Sequence, residues 1–194
     1  IPKLHLPMQW RNNFDYGGGM LTDHGAHFID VLQWALGTDE TGPVAIENLW
    51  GELDRPESLY NVAPRYSFEI VYADGTRVHA STEFGEKQNR FLRFHGENDR
   101  KLYVYAGKLE TTPAEMIREK IRDDEVKLYV SGNHERNFIE GILTGKPVIS
   151  PCETGHRTIT IAHLANIGLR LGRKTLKWDP VAERFLNDPE ADRL

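Results

Sequence analysis

The sequence predicts an α+β fold, an open and mostly antiparallel β-sheet with helices packed on one face. A helical pattern opens the chain, a long block of strand patterns follows, and helical patterns close it. Strands and helices that are grouped in blocks, rather than alternating, are typical of antiparallel sheets covered by helices. A length of 194 residues is a normal size for one domain, and residues 1–194 are expected to form a single domain.

The first helix follows three glycines at positions 17–19. At about 100° per residue, Asp23, His27, Asp30 and Trp34 fall on one stripe of this helix, and apolar residues occupy its other sides. Consecutive glycines weaken regular structure, so they are best explained where the backbone turns sharply or lets a ligand come close. The pattern predicts a helix that is packed on most sides and ionisable along one.

The strand block begins at residues 44–53, after Gly42 and Pro43. An alternation of large apolar and polar residues over 65–72 is that of a half-buried strand. Asp74 and Gly75 predict a hairpin turn. The strands that follow are predicted at 76–84, 91–94 and 102–105, and the apolar row of the half-buried strand is Tyr66, Phe68, Ile70 and Tyr72.

Two helices close the chain. One is predicted from His134 to Thr144, before a turn at Gly145. The other starts at a capping box, Ser150 with Glu153, and continues as an apolar stripe to Gly172.

Asp23 and His27 are the main chemical candidates. Residues four apart on a helix lie about 5 to 6 Å apart at Cβ, so the carboxylate can orient the imidazole and favour its charged form. Such a pair transfers protons near neutral pH. The alternatives on spacing alone are a solvated helix face or a satisfied buried polar pair.

A metal site is the other chemical alternative, because Asp23, His24 and His27 are close in sequence. No metal is expected, since His24 is rotated about 60° away from His27 on a helix and no other compact His or Cys cluster supplies a third strong ligand. Before the glycines, Trp10 and Arg11 place an aromatic ring beside a guanidinium, a combination typical of sugar sites. A core Trp and a surface Arg are the alternative.

Composition excludes several functions. The net charge is −5 and no basic cluster occurs, so no nucleic-acid partner is expected. One cysteine, Cys152, leaves no internal disulfide. No apolar stretch approaches the ~18 residues that span a bilayer, so no membrane partner is expected.

Two segments carry a family resemblance. Residues 15–30 read DYGGGMLTDHGAHFID and are followed by QWALG at 33–37; the closing segment has HRT at 156–158, HLANI at 163–167, LRLGRK at 169–174 and WDP at 178–180. The chain resembles the C-terminal domain of Gfo/Idh/MocA oxidoreductases, the family of glucose-fructose oxidoreductase and inositol dehydrogenase. The resemblance spans nearly the whole chain.

The resemblance implies a two-domain enzyme, in which a Rossmann domain holds NAD or NADP and an α+β domain supplies the substrate pocket and the oligomer contact. The dinucleotide fingerprint Gly-x-Gly-x-x-Gly is missing from this sequence. The cofactor domain is therefore expected upstream, and residues 1–194 alone are expected to bind neither cofactor and to be inactive.

The implied reaction is oxidation of a hydroxyl on a sugar, polyol or related carbohydrate, with His27 taking the proton, Asp23 orienting His27, and the nicotinamide taking the hydride. The expected substrate contacts are Arg11, Trp10, His24, Asp30 and His156. We further expect a homodimer or tetramer formed through the sheet face, and a cytoplasmic location. A non-catalytic carbohydrate-binding or dimerisation module derived from the family is the alternative to an enzyme.

Overall fold

A computed structural model describes residues 9–53, 58–83, 91–105 and 107–194. The chain divides into two compact units, the first drawn from Ile1–Asn89 and His156–Leu194 and the second from Arg90–Gly155. The expectation that residues 1–194 form a single domain stays a prediction.

The first unit contains a five-stranded sheet in which every neighbouring pair of strands is antiparallel. One helix precedes the sheet in sequence, and a second helix comes directly before its last two strands. The strands below are numbered in chain order, and their order in the sheet is β3-β2-β1-β7-β8. The elements are a 3₁₀ turn Gln9–Asn12, a π-helix Leu21–Gly25, α1 Ala26–Leu36, β1 Ala45–Glu52, β2 Arg65–Val71, β3 Arg77–Ser81, α3 Cys152–Arg170, β7 Leu176–Asp179, β8 Arg184–Phe185 and a 3₁₀ turn Ala191–Arg193.

The second unit contains a three-stranded antiparallel sheet in the order β4-β5-β6, followed by a short 3₁₀ turn and α2. Its elements are β4 Phe91–His95, β5 Lys101–Tyr105, β6 Lys108–Thr112, the turn Ala114–Arg118 and α2 His134–Thr144. Asn133 caps α2 by accepting a hydrogen bond from the Arg136 N–H at 2.7 Å, and Gly145 ends it in the left-handed region.

The α+β prediction is confirmed: the described strands form open antiparallel sheets, and α1 and α3 cover one face of the larger one. Phe68 and Ile70 on β2 are 0% and 1% exposed, while Glu69 between them lies on the open face. Gly168 of α3 lies so close to the sheet that an added Cβ would be 2.6 Å from Leu49 and 2.9 Å from Leu176. The backbone of α3 at Gly168 therefore packs directly against side chains of the sheet.

Three strands differ from the sequence prediction. β6, β7 and β8 lie in segments where no strand was predicted, and the described part of the strand predicted at 76–84 is β3, Arg77–Ser81. Phe84, the last residue of that prediction, lies outside the described residues. The predicted strand block divides between two sheets.

A buried hydrogen-bond network joins α1 to β2. Gln33 is 0% exposed, and its Oε1 accepts hydrogen bonds from Tyr72 Oη and Thr38 Oγ1, both at 2.7 Å. Its Nε2 donates to the carbonyl of Thr38 at 3.1 Å. Burial raises the pKa of Tyr72 to about 12. The amide is therefore a satisfied polar group inside the core.

Candidate functional site

The helix that carries the predicted site begins with one π-helical segment, Leu21–Gly25, before it becomes α-helical at Ala26. A π-helix hydrogen-bonds each residue to the fifth along the chain rather than the fourth, and such segments are frequent at functional sites. The wheel of about 100° per residue therefore does not apply across Asp23. The predicted stripe holds only from His27 onward, within α1.

Asp23 forms an ion pair with Arg11, which lies on the 3₁₀ turn Gln9–Asn12. The two side chains are 32% and 21% exposed, so the pair is partly shielded from water. The expected contact between Asp23 and His27 is not formed among the described residues. A charge-assisted hydrogen bond to a guanidinium outweighs an i,i+4 side-chain pair, which contributes only about 0.2–0.5 kcal/mol. The structure thus brings Arg11 and Asp23 together, whereas His27 lies in α1, four residues after Asp23, outside this pair.

The two histidines of this helix differ in environment. His27 is exposed and forms no hydrogen bond or ion pair with the described residues. His24 is half-buried, and its Nδ1 is buried with no hydrogen-bond partner in the part of the chain that the structure describes. Buried polar atoms are nearly always satisfied, so this ring nitrogen is an exception that needs a reason.

The three glycines are explained by close packing of the chain on itself. A Cβ at position 17 would lie 3.0 Å from the Arg11 Cα, and one at position 18 would contact Thr22 and lie 2.7 Å from Asn166 Nδ2. Gly19 has φ +73°, in the left-handed region. The positions that a Cβ would take at Gly17 and Gly18 are therefore occupied by neighbouring side chains and backbone, which explains these glycines without a ligand.

Trp10 and Asp30 also lie in the first unit. Trp10 is 56% exposed, and its ring edge would be 3.3 Å from a Cβ on Gly17, so the indole covers the glycine loop. Asp30 accepts a hydrogen bond from Thr158 Oγ1 at 3.2 Å, which links α1 to α3. The predicted substrate contact at Asp30 is thus already engaged by a helix–helix bond.

His156 lies at another contact. Its Nε2 is 2.9 Å from Glu183 Oε2, and Arg157 pairs with the other oxygen of the same carboxylate at 3.1 Å. Arg157 also donates to the carbonyl of Pro180 at 2.7 Å. These bonds attach the closing segment to α3, and no described hydrogen bond joins His156 to Arg11, Asp23 or His27.

Sequence reasoning missed the structural role of the buried polar residues of α3. Thr158 bonds Asp30, and Asn166 donates to the Gly18 carbonyl at 2.8 Å. Thr154, Thr158 and Asn166 are 4%, 5% and 5% exposed. Their spacing in multiples of four along the predicted apolar stripe was the available signal, because polar residues on a buried helix face require partners.

No group of three or more His, Cys, Asp or Glu side chains in the described ranges is arranged to hold a metal ion. Those ranges also contain no helix that is long and apolar enough to cross a membrane. The cytoplasmic location stays a prediction.

These features define an α+β fold with an ion pair of Arg11 and Asp23 where the first helix begins. The chain belongs to the Gfo/Idh/MocA oxidoreductase family, since the family description "Oxidoreductase family, C-terminal alpha/beta domain" matches residues 3–194. A search of curated proteins found no match.

Solved structures with the same fold include three oxidoreductase or NAD-binding proteins. Aldose-aldose oxidoreductase from Caulobacter crescentus, complexed with glycerol, is 18% identical with a TM-score of 0.52, over 89% of this chain and 51% of that one. GenD2 from gentamicin A biosynthesis, in complex with NAD, is 16% identical with a TM-score of 0.52, over 90% and 52%. An NAD-binding protein from Listeria innocua is 15% identical with a TM-score of 0.57, over 89% and 55%. The chain thus spans about half the length of these proteins.

Proposed function

We propose that this chain supplies the substrate-binding part of an NAD- or NADP-dependent oxidoreductase that acts on a hydroxyl of a sugar, polyol or related carbohydrate. Family membership and the exposed His27, next to the Arg11–Asp23 ion pair, support the proposal. The neighbours that are named for an aldose substrate or for NAD are consistent with it.

His27 is the proposed general base. Its ring is open to solvent and free of hydrogen bonds to the described residues, so a substrate hydroxyl has access to it. A base must lie within hydrogen-bond reach of the proton it removes, and an unengaged imidazole satisfies this once the substrate is placed. His27 then carries the proton away from the hydroxyl as the carbon is oxidised.

Asp23 and Arg11 are proposed to place the substrate. The ion pair fixes both groups at the start of the helix, where each retains hydrogen-bonding capacity for a hydroxylated ligand. Substrate hydroxyls that replace part of this pair release Asp23 toward His27, one turn away. His24 Nδ1, unsatisfied among the described residues, is the further group that a ligand hydroxyl would satisfy.

The described residues do not fit a nicotinamide dinucleotide. The glycine run lies between a 3₁₀ turn and a π-helix, and not between a strand and a helix as in a dinucleotide-binding turn. We therefore propose that the cofactor is held outside these residues, and the role of this chain is limited to the substrate hydroxyl and its proton.

The test is His27→Ala in the full-length enzyme, assayed with carbohydrate substrates. The turnover number should fall roughly 10² to 10⁴-fold, the usual contribution of a general base. The unfolding midpoint should be unchanged, because His27 is exposed and unbonded in the described part of the chain. Asp23→Asn should reduce turnover by less.

His95→Ala is the matched control, because it removes an exposed histidine from the second unit and should leave turnover unchanged. Wild-type turnover in a folded His27→Ala variant would support the solvated-face alternative instead.

A further inference from the structure

A second concave site lies in the first unit, where the loop before the π-helix meets the last turns of α3. It is a pocket of about 500 Å³. The loop contributes Phe14 and the glycines at positions 17 and 18, and α3 contributes His163, Asn166 and Arg170. Volumes of this order hold small organic ligands. None of Asp23, His24 and His27 is among its lining residues.

The two walls of this pocket are fastened to each other. Asn166 donates a hydrogen bond to the Gly18 carbonyl at 2.8 Å, and Asn166 is only 5% exposed. A buried hydrogen bond therefore joins the loop and α3, the two segments that line the pocket.

Arg170 supplies the charge of the pocket. Its guanidinium lies 5.6 Å from the centre of the Phe14 ring, and it forms no ion pair with any carboxylate among the described residues. Arg173, three positions later, pairs with Asp188 at 2.7 Å and with Glu190 at 2.6 Å. A cation–π contact orients a guanidinium without neutralising it, so the positive charge of Arg170 remains available.

The other polar side chains that line the pocket are neutral, and Leu194, the last residue of the sequence, lines it as well. Neighbouring residues remove part of the hydration of the His163 ring and so lower its pKa, although the side chain is still open to solvent. A neutral imidazole donates or accepts one hydrogen bond and adds no second charge. Tyr16 adds a phenol hydroxyl at the same site. One cationic side chain among neutral hydrogen-bonding side chains matches a ligand with one anionic group and a hydroxylated body.

We propose that this pocket is an anion site, in which Arg170 binds the carboxylate or phosphate of a small hydroxylated molecule and Phe14 holds the guanidinium in place. Planar guanidinium groups recognise both anions through paired hydrogen bonds. The proposal is independent of the reaction assigned to His27.

Calorimetric titration of the full-length protein at low ionic strength tests it, with gluconate, glucose 6-phosphate and neutral glucose as probes. At least one anionic probe should bind, and Arg170→Gln should weaken that binding by at least tenfold. Phe14→Leu should weaken it by a smaller factor. Arg170→Lys, which keeps the charge but loses the planar fork, should fall between wild type and Arg170→Gln, and it retains the test if Arg170→Gln fails to fold.

Lys174→Gln is the matched control, because it removes one positive charge from an exposed side chain near the same helix end and outside the pocket lining. It should change the affinity less than twofold. Equal losses in Lys174→Gln and Arg170→Gln would overturn the proposal in favour of general electrostatic attraction. It would also be overturned if no anionic probe bound, or if affinity in Arg170→Gln matched wild type.

Discussion

At the scale of single residues, the phenol of Tyr72 is a titratable group held in the core, where its side chain is 4% exposed. Its hydroxyl donates to Gln33, and burial, more than any charge nearby, raises its pKa to about 12. The unfolded chain therefore loses this proton at lower pH than the folded chain does. The stabilisation is complete below about pH 10 and is lost as the pH rises toward about 12.

We predict that Tyr72→Phe is less sensitive to alkali than wild type. A rise of the pKa from 10 to about 12 corresponds to about 2–3 kcal/mol at roughly 1.36 kcal/mol per unit, so the wild-type free energy of unfolding should fall by up to about that much more than that of the variant between pH 10 and pH 12. Denaturant unfolding over this range measures it. Tyr16→Phe, at a side chain that is 73% exposed, should retain the wild-type pH dependence. Parallel losses in wild type and Tyr72→Phe would show that burial of this phenol does not determine the alkaline limit.

Single residues also show which parts of the candidate site can be predicted from local sequence patterns. Asp23 and His27 were singled out from spacing, and the structure places both at the first helix. The partner of Asp23 was missed, since Arg11 is twelve positions earlier and meets it only because the intervening loop folds back. A helical wheel contains no information about such a contact, and it carried no sign of the π-helical segment that changes the register.

At the scale of elements, the loop leading into the π-helix is held against α3 by its glycines. Gly18 has no room for a side chain, because an added Cβ would meet Thr22 and Asn166. In contrast, Gly155 lies near the start of α3 with nothing within 4 Å of the position a Cβ would take.

We therefore predict opposite effects of two glycine-to-alanine substitutions. Gly18→Ala should lower the unfolding free energy by about 1–3 kcal/mol through overpacking. Gly155→Ala should raise it by roughly 0.5–1 kcal/mol, since alanine loses less backbone entropy in a helix. Urea unfolding with both variants decides the matter, and a destabilised Gly155→Ala or a neutral Gly18→Ala would contradict this account of the packing.

Elements with strong end signals were predictable from the sequence. The bounds of α2, His134–Thr144, follow from a capping Asn133 and a terminating Gly145. β6, by contrast, has the sequence KLETT with one large apolar residue, Leu109, and β8 is two residues long. Such strands form because a neighbouring strand offers hydrogen bonds, which a local pattern does not record.

At the scale of the whole molecule, the open face of the five-stranded sheet is the surface with the clearest potential for assembly. It carries ion pairs such as Arg77 with Glu69, and among them Trp50 is 49% exposed. Trp50 lies opposite Ser67, on the face away from the buried row of β2. Large aromatic residues surrounded by polar groups are typical of interface centres.

We predict a homodimer, or a dimer of dimers, formed through this face. Trp50→Glu should dissociate it, because a charge in the centre of an isologous contact would be buried twice. Val181→Glu, at a side chain that is 90% exposed on the turn before β8, should leave the mass unchanged. Light scattering at micromolar concentrations measures both, and a single-chain mass that does not change over a tenfold rise in concentration would mean that the sheet face is simply solvated.

The sequence could not separate the strand block into two sheets, since each strand pattern reports only its own exposed and buried faces. It did group the elements correctly. The row from Tyr66 to Tyr72 proved to be the face under the helices, because a strand of period two allows only one assignment once one face is apolar.

The bonds from Asp30 to Thr158 and from Gly18 to Asn166 attach the first helix and the loop before it to α3. On α3 the two bonding residues, Thr158 and Asn166, are eight residues apart, a distance of about 12 Å along the helix. Sliding by one helical turn, about 5.4 Å, would break both at once, so the pair resists translation along its length. His27 lies on the helix that the Asp30 bond attaches to α3, three residues before Asp30. The helix that carries the imidazole is thus attached to α3, and we expect the position of a reacting hydroxyl to depend on how the substrate binds beside this helix.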